Sequence, residues 1–106
     1  MIEVSRIENE DGELAGFRIL GHAKYATFGK DIVCAAVSSL AINTINSIER
    51  FTDDKFSCAQ DEETGLIELI LVSDISAEST LLLKSLFLGL KEVEHDYGKR
   101  FITVKA

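Results

Sequence analysis

Two side chains capable of nucleophilic and base chemistry, His22 and Cys34, lie close together in this 106-residue sequence. A thiol attacks a carbonyl group as its thiolate, and a neighbouring imidazole can remove the thiol proton. Cys34 follows Asp31 by one helical turn, at the point where a helix pattern begins. If Asp31 caps that helix, the first-turn amides and the positive end of the helix dipole would stabilise a thiolate or an oxyanion at Cys34. Such a pair is typical of thiol hydrolases.

Each of these residues also has a purely structural interpretation. Cys34 falls on the same apolar stripe as Val37, and most lone cysteines in helices are small core residues. His22 could end a strand by bonding to a carbonyl group. Asp31 could cap the helix only or could also orient His22, and its charge would oppose thiolate formation. Ser38 lies one turn beyond Cys34, where its hydroxyl could bond to the thiol or to its own backbone.

The remaining cysteine does not extend this pattern into a metal site or a disulfide. Cys34 and Cys58 are not a CxxC pair, and with only two histidines in the chain a zinc site would need carboxylates to complete it. A disulfide is not expected in a cytosolic chain. We therefore predict no metal and no cofactor, and we interpret Cys58, inside the alternating run 56–60, as structural.

The elements that must position His22 and Cys34 follow from two periodicities. Alternating apolar and polar residues predict strands, whereas apolar residues at three- and four-residue steps predict helices. The predicted strands are 2–8, 14–21, 56–60, 66–72 and 100–105, with a hairpin turn at 9–13; the predicted helices run over about 31–50 and from about residue 74 to a stop at Gly98. The order ββαββαβ predicts an α+β fold with one sheet covered by two helices, in a single domain at 1–106.

Charge and composition disfavour several classes of function. Eighteen acidic and eleven basic residues give a net charge of −7, which disfavours direct binding to nucleic acid because phosphates bind to clustered Lys and Arg. The charge could suit a basic protein partner, although solubility alone also explains it. Residues 1–16 are acidic and alternating, unlike a signal peptide, and no apolar run reaches the ~20 residues of a membrane span. We expect a cytoplasmic protein with no membrane partner.

The segment around the two reactive residues also carries a longer motif. It reads Gly-His-Ala, a short loop, and then Gly-x-Asp-x-x-Cys-Ala-Ala-x-Ser, which falls on Gly21, His22, Ala23, Gly29, Asp31, Cys34, Ala35, Ala36 and Ser38. This pattern resembles the signature of the ribosomal-processing cysteine protease family, called Prp. The resemblance covers nearly the whole chain, since the length, the element order and the late segment GLKEVEHDYGKRFITV also fit.

The resemblance implies an activity. Proteins of that family remove a short N-terminal extension from large-subunit ribosomal protein twenty-seven during bacterial ribosome assembly, cutting after an aromatic pair, and they form homodimers. His22 and Cys34 match their catalytic dyad. Two other functions stay open: an assembly factor that binds the ribosomal protein without cutting it, and a thiol redox sensor.

The loop between the two reactive residues is then expected to close over the peptide. Its residues 23–30 show no periodic apolar face, and Gly21 and Gly29 would act as its hinges. Tyr25 and Phe28 could pack on aromatic side chains of the substrate or on the domain itself.

Overall fold

Five strands and two helices make up the part of the chain that the computed structural model describes, residues 1–27 and 31–105. Their bounds are β1 Ile2–Glu8, β2 Leu14–Leu20, α1 Ile32–Phe51, β3 Phe56–Asp61, β4 Leu66–Leu71, α2 Ala77–Tyr97 and β5 Ile102–Lys105. The predicted order is confirmed, and the predicted ends differ from the observed ones by a few residues at most.

The strands form one sheet in the order β3-β4-β2-β1-β5. Neighbouring strands run antiparallel, except that residues 2–5 of β1 pair in parallel with residues 102–105 of β5. Because β2 lies between β1 and β4, its backbone is hydrogen-bonded on both sides. The sheet therefore holds the end of β2, and with it His22, in a fixed position.

Both helices pack on the sheet and on each other around one core. The apolar stripe predicted for α1 is buried at Val37, Ala41 and Ile48, and that of α2 is buried at Leu83 and Leu90. These side chains join the inward-facing strand residues, which include Ile2, Val4, Phe17, Ile19, Leu69 and Ile102. Burying each large aliphatic side chain contributes about 1.5–3 kcal/mol. The two-layer α+β fold is confirmed.

The first helix, α1, is as apolar as a membrane-spanning helix and also as apolar as a helix in a protein core. By length and composition alone α1, with a mean hydropathy of 1.4, could cross a membrane. In the structure its buried face packs in the core through Val33, Val37 and Ile48, whose side chains are 0–2% exposed. Core helices of soluble proteins commonly share this composition, so we draw no membrane role from it.

Cys58 lies in a strand, as the alternating run 56–60 predicted. The strand β3 is an edge of the sheet, and its residues from Ser57 to Asp61 are exposed. Cys58 is therefore an exposed free thiol, and its interpretation as a structural residue stays a prediction. This exposure could not be predicted from the sequence, because alternation marks a strand but does not reveal whether either face is covered.

Candidate active site

Three segments meet around the two reactive side chains. They are the end of β2, the first two turns of α1, and the β3–β4 turn at 62–65. Two adjoining cavities of about 320 and 600 Å³ lie between them. His22, Cys34, Ser38 and Glu62 line both cavities, so the structure brings the predicted base, the predicted thiol and the predicted supporting serine to one place.

Cys34 lies at the edge of the buried stripe of α1 and is half-buried. Its Sγ accepts a hydrogen bond from the Ala23 N–H at 3.4 Å, which draws the residue after His22 against the sulfur. Burial raises the pKa of the Cys34 thiol; the Ala23 N–H opposes this rise, and the negative charge of the Asp31 carboxylate adds to it. The expected lowering of this pKa by the helix start is therefore wrong, whereas the expected opposition from Asp31 is confirmed.

Asp31 is the N-cap of α1. Its Oδ1 accepts from the N–H groups of Val33 and Cys34, each at 3.0 Å, and its Oδ2 accepts from Tyr25 at 2.9 Å and Ala26 at 3.5 Å. Burial alone would raise the pKa of Asp31, but these four donors outweigh it and lower the pKa. The carboxylate thus fastens the loop to the helix start.

The same hydrogen bonds test two predictions, that the first-turn amides could hold an oxyanion and that Asp31 could orient His22. The N–H groups of Val33 and Cys34 are occupied by its side chain, and that of Ala35 by its carbonyl at 3.0 Å, so these three first-turn amides are not open to an oxyanion. Among the described residues, the bonds of the Asp31 carboxylate go to backbone N–H groups and not to His22. Orientation of His22 by Asp31 therefore finds no hydrogen bond to support it.

His22 is instead bonded to the β3–β4 turn. Its Nε2 lies 3.1 Å from the main-chain carbonyl oxygen of Glu63. This partner could not be predicted from the sequence. A backbone carbonyl carries no residue-type signal, and this one comes from a turn forty-one positions further along the chain.

Gly21 allows a close approach of the backbone, and its expected role as a hinge stays a prediction. Its φ is 99°, and a Cβ there would lie 2.3 Å from the Met1 carbonyl oxygen. Its N–H donates to the Thr64 carbonyl oxygen at 3.0 Å. The glycine allows β2 to end in close contact with its neighbours, which fixes the position of the next residue, His22. Its predicted partner hinge, Gly29, lies outside the described residues.

The described part of the loop is anchored to the domain. Ala23 is 2% exposed, and the Tyr25 ring packs edge-on against Tyr97 and Phe101, with centroid distances of 5.6 and 5.0 Å. Of the two alternatives for Tyr25, the structure thus favours packing on the domain. Phe28 lies outside the described residues. Packing and the Asp31 bonds thus hold Ala23, Tyr25 and Ala26, and the expected closure of the loop over a peptide stays a prediction.

The smaller cavity is lined mainly by apolar side chains. Ile2, Ile19, Val37, Ile42, Leu66 and Ile67 form its walls. The larger cavity has more charged residues at its border, namely Lys24, Asp31, Glu62 and Glu63. Together they offer a thiol and an imidazole between an apolar recess and a charged opening, which suits attack on a peptide carbonyl. Among residues 1–27 and 31–105, no group of His, Cys, Asp and Glu is arranged to hold a metal ion.

Known proteins share both this sequence and this fold. The family model described as cysteine protease Prp matches residues 1–102. The ribosomal processing cysteine protease Prp of Staphylococcus aureus is 27% identical over 99 residues, with 93% of each chain covered.

Two solved structures share the fold over almost the whole chain. An S. aureus ribosomal processing protease Prp, in complex with a covalently linked product peptide, has a TM-score of 0.89 at 27% identity, covering 99% of this chain and 98% of that one. A protein from Streptococcus mutans has a TM-score of 0.79 at 33% identity, covering 99% and 92%.

Proposed function

Because the chain belongs to the cysteine protease Prp family, we propose that it is an endopeptidase with a His22–Cys34 dyad that processes a ribosomal protein. Its substrate is the N-terminal extension of large-subunit ribosomal protein twenty-seven, which it cuts after an aromatic pair. The observation that carries the proposal is that His22 and Cys34 line the same two cavities in a fold of this family.

The reaction follows from the chemistry of the two side chains. The Cys34 sulfur attacks the scissile carbonyl carbon while His22 takes the thiol proton, which gives a tetrahedral oxyanion. His22 returns the proton to the leaving amine as the peptide C–N bond breaks, leaving a thioester. Water, deprotonated by His22, then hydrolyses the thioester and restores the thiol. The covalently linked peptide in the S. aureus structure supports a covalent nucleophile on this fold.

The raised pKa of Cys34 favours proton removal during attack over a resting thiolate. Burial and the Asp31 charge disfavour the thiolate in the free protein. A base that acts as the S–C bond forms is then needed, which is the role we assign to His22. Asp31 and Ser38 support the site, Asp31 by holding the helix start and Ser38 by lining both cavities.

The apolar cavity supports the proposed preference for aromatic residues beside the cut. At about 320 Å³ it can accommodate a large side chain, and Ile19, Ile42 and Ile67 give it apolar walls next to the sulfur. Burying an aromatic ring there would supply much of the binding energy. The acidic residues Glu62 and Glu63 at the other cavity suit a basic ribosomal protein.

Mass spectrometry of the extended ribosomal protein after mixing with the purified chain tests the proposal. We expect two products whose masses place the cut after the aromatic pair. An unchanged mass together with tight binding would identify a non-catalytic assembly factor instead. Peroxide sensitivity of Cys34 that does not depend on His22, with no cleavage, would identify a redox sensor.

The setting of the reaction belongs to the same proposal. We place the protein in the cytoplasm as a homodimer that uses no cofactor and binds neither nucleic acid nor membrane directly. Light scattering on the purified chain tests the dimer, since a monomer mass at working concentration would contradict it.

A further inference from the structure

From the geometry around His22, we infer that the main-chain carbonyl of Glu63 is the group that orients this imidazole. The inference rests on the proposed role of His22 and deepens it. In cysteine and serine hydrolases the base is commonly held by a third group. Here that group is a backbone carbonyl on the β3–β4 turn, 3.1 Å from Nε2, and not the Asp31 carboxylate.

The hydrogen bond fixes which nitrogen carries the proton. A carbonyl oxygen can only accept, so Nε2 must donate, and the neutral ring is the Nε2–H form. Nδ1 is then the basic nitrogen that takes the thiol proton. When the ring becomes an imidazolium, Nε2 keeps its proton, and the Glu63 carbonyl continues to accept from it. The carbonyl thus holds the ring in one tautomer through the whole proton transfer.

The turn that presents this carbonyl is rigidly attached to the end of β2. The Glu63 N–H donates to Asp61 Oδ1 at 3.0 Å, which closes the turn on itself. The next carbonyl, that of Thr64, accepts from the Gly21 N–H at 3.0 Å. Two consecutive carbonyls of one turn therefore bind two consecutive residues of the site, Gly21 through its backbone and His22 through its ring.

Gly65 makes this attachment possible. Its φ is 75°, and a Cβ at this position would lie 2.2 Å from the Gly21 carbonyl oxygen. An alanine there would force the turn away from β2 and would carry the Glu63 carbonyl with it. Gly12 offers a matched control, since it also lies in a hairpin turn with a positive φ of 78°, but its Cβ would meet nothing within 4 Å.

The test compares Gly65→Ala with Gly12→Ala by ¹⁵N NMR of the histidine rings and by peptide cleavage. His95 is the only other histidine, so His95→Gln assigns the His22 signals. In the parent protein and in Gly12→Ala we expect neutral His22 as the Nε2–H tautomer and unchanged kcat. In Gly65→Ala we expect a mixture of tautomers and a fall in kcat of roughly tenfold or more, with a smaller change in KM.

A second variant keeps the test decisive if Gly65→Ala fails to fold. Replacing Thr64 by its α-hydroxy acid turns the Glu63 carbonyl into an ester carbonyl, which is a weaker acceptor, without adding a side-chain atom. We expect a smaller loss of kcat and a weaker preference for Nε2–H. An Nδ1–H tautomer in the parent protein, or a full tautomer preference and full kcat in both variants, would overturn the inference. Since the tautomer is read without substrate, its failure is distinct from an absence of proteolysis.

Discussion

The two helices of this fold begin in the same way, yet only one beginning lies in a candidate site. In α1 the cap is Asp31 and Cys34 follows three positions later; in α2 the cap is Ser76 and Ser79 follows three positions later. Each cap oxygen accepts from the N–H of that third residue, at 3.0 Å in α1 and 3.1 Å in α2. Each third residue carries a sulfur or oxygen atom that chemistry could use.

The surroundings of the two helix starts differ. Ser79 is 0% exposed, and Asp54 closes the start of α2 by accepting from the Ser76 N–H at 2.9 Å and its hydroxyl at 2.7 Å. Cys34 faces two cavities that it shares with His22. The local sequence thus places a thiol or hydroxyl group in the first turn of each helix. Tertiary structure decides whether that group is accessible and whether a base lies beside it.

The largest effects should come from removing the thiol or the imidazole. Cys34→Ala should abolish cleavage of the extended ribosomal protein, and His22→Ala should slow it by roughly 10²-fold or more, because general-base catalysis is lost. Ser79→Ala changes the equivalent position of the other helix start and should leave cleavage within about twofold. Cleavage rates by mass spectrometry check all three. Normal turnover by Cys34→Ala would show that the start of α1 does not supply the nucleophile and in this respect does not differ from the start of α2.

The two caps should matter equally for stability but not for cleavage. Asp31→Ala and Ser76→Ala should each lower the free energy of unfolding by about 0.5–2 kcal/mol, measured by urea denaturation. Only Asp31→Ala should also reduce cleavage, because the loop beside Cys34 loses its anchor. Equal cleavage by both variants, at matched stability, would mean that Asp31 acts only as a cap.

The lowered pKa of Asp31 gives its contribution a definite pH dependence. A carboxylate whose pKa is lower in the folded state stabilises the fold above its ordinary range, and this stability is lost as the pH falls through the folded-state pKa. We expect the stability difference between the parent protein and Asp31→Ala to be present near neutrality and to shrink below about pH 4. A difference that stays constant down to pH 2 would contradict this account.

The pKa of the Cys34 thiol should be higher than that of free cysteine, whereas an activated thiol has a lower pKa. Burial and the Asp31 charge raise the pKa of Cys34, so its alkylation by iodoacetamide in the free protein should reach half-maximal rate at a higher pH than for free cysteine. Cys58→Ser makes the labelling specific to Cys34. In that background Asp31→Asn removes the charge, and the alkylation rate near neutral pH should increase several-fold. A midpoint below that of free cysteine would show a resting thiolate.

The smallest expected effect is a change in hydrogen exchange that distinguishes the two roles of Asp31, capping the helix and anchoring the loop. An asparagine keeps one accepting oxygen for the helix cap but replaces the second with an NH₂ group, which cannot accept. In Asp31→Asn, hydrogen exchange should therefore accelerate at the Tyr25 amide and stay slow at the Cys34 amide. Equal acceleration at both amides would mean that the cap and the loop anchor are lost together.

The sequence was sufficient for the elements but not for the contacts between distant segments. Periodicity placed α1 and the cap Asp31 because helix patterns and capping residues are local signals. The motif around His22 and Cys34 predicted that these residues share one place. The partner of His22 could not be predicted, because it is a main-chain atom whose position depends on how the β3–β4 turn docks on Gly21.

Burial was the other quantity that local patterns could not supply. The raised pKa of Cys34 results first from burial beneath neighbouring segments, which no helix-start argument contains. The exposure of Cys58 depends on β3 lying at the edge of the sheet, and strand order is not written in alternation. Both the pKa of Cys34 and the exposure of Cys58 depend on tertiary packing around a correctly predicted element.

The parallel pairing of β1 with β5 has a consequence for how a newly made chain matures. Residues 2–5 are synthesised first among the strands and residues 102–105 last, yet they are partners in the sheet. Contacts between such distant segments form slowly, because the entropy of closing a long loop is lost before any pairing is gained. Ile2 of β1 also lines the apolar cavity beside Cys34. A nascent chain should therefore complete this cavity only after β5 has left the ribosome, so the proposed cleavage during its own translation is disfavoured.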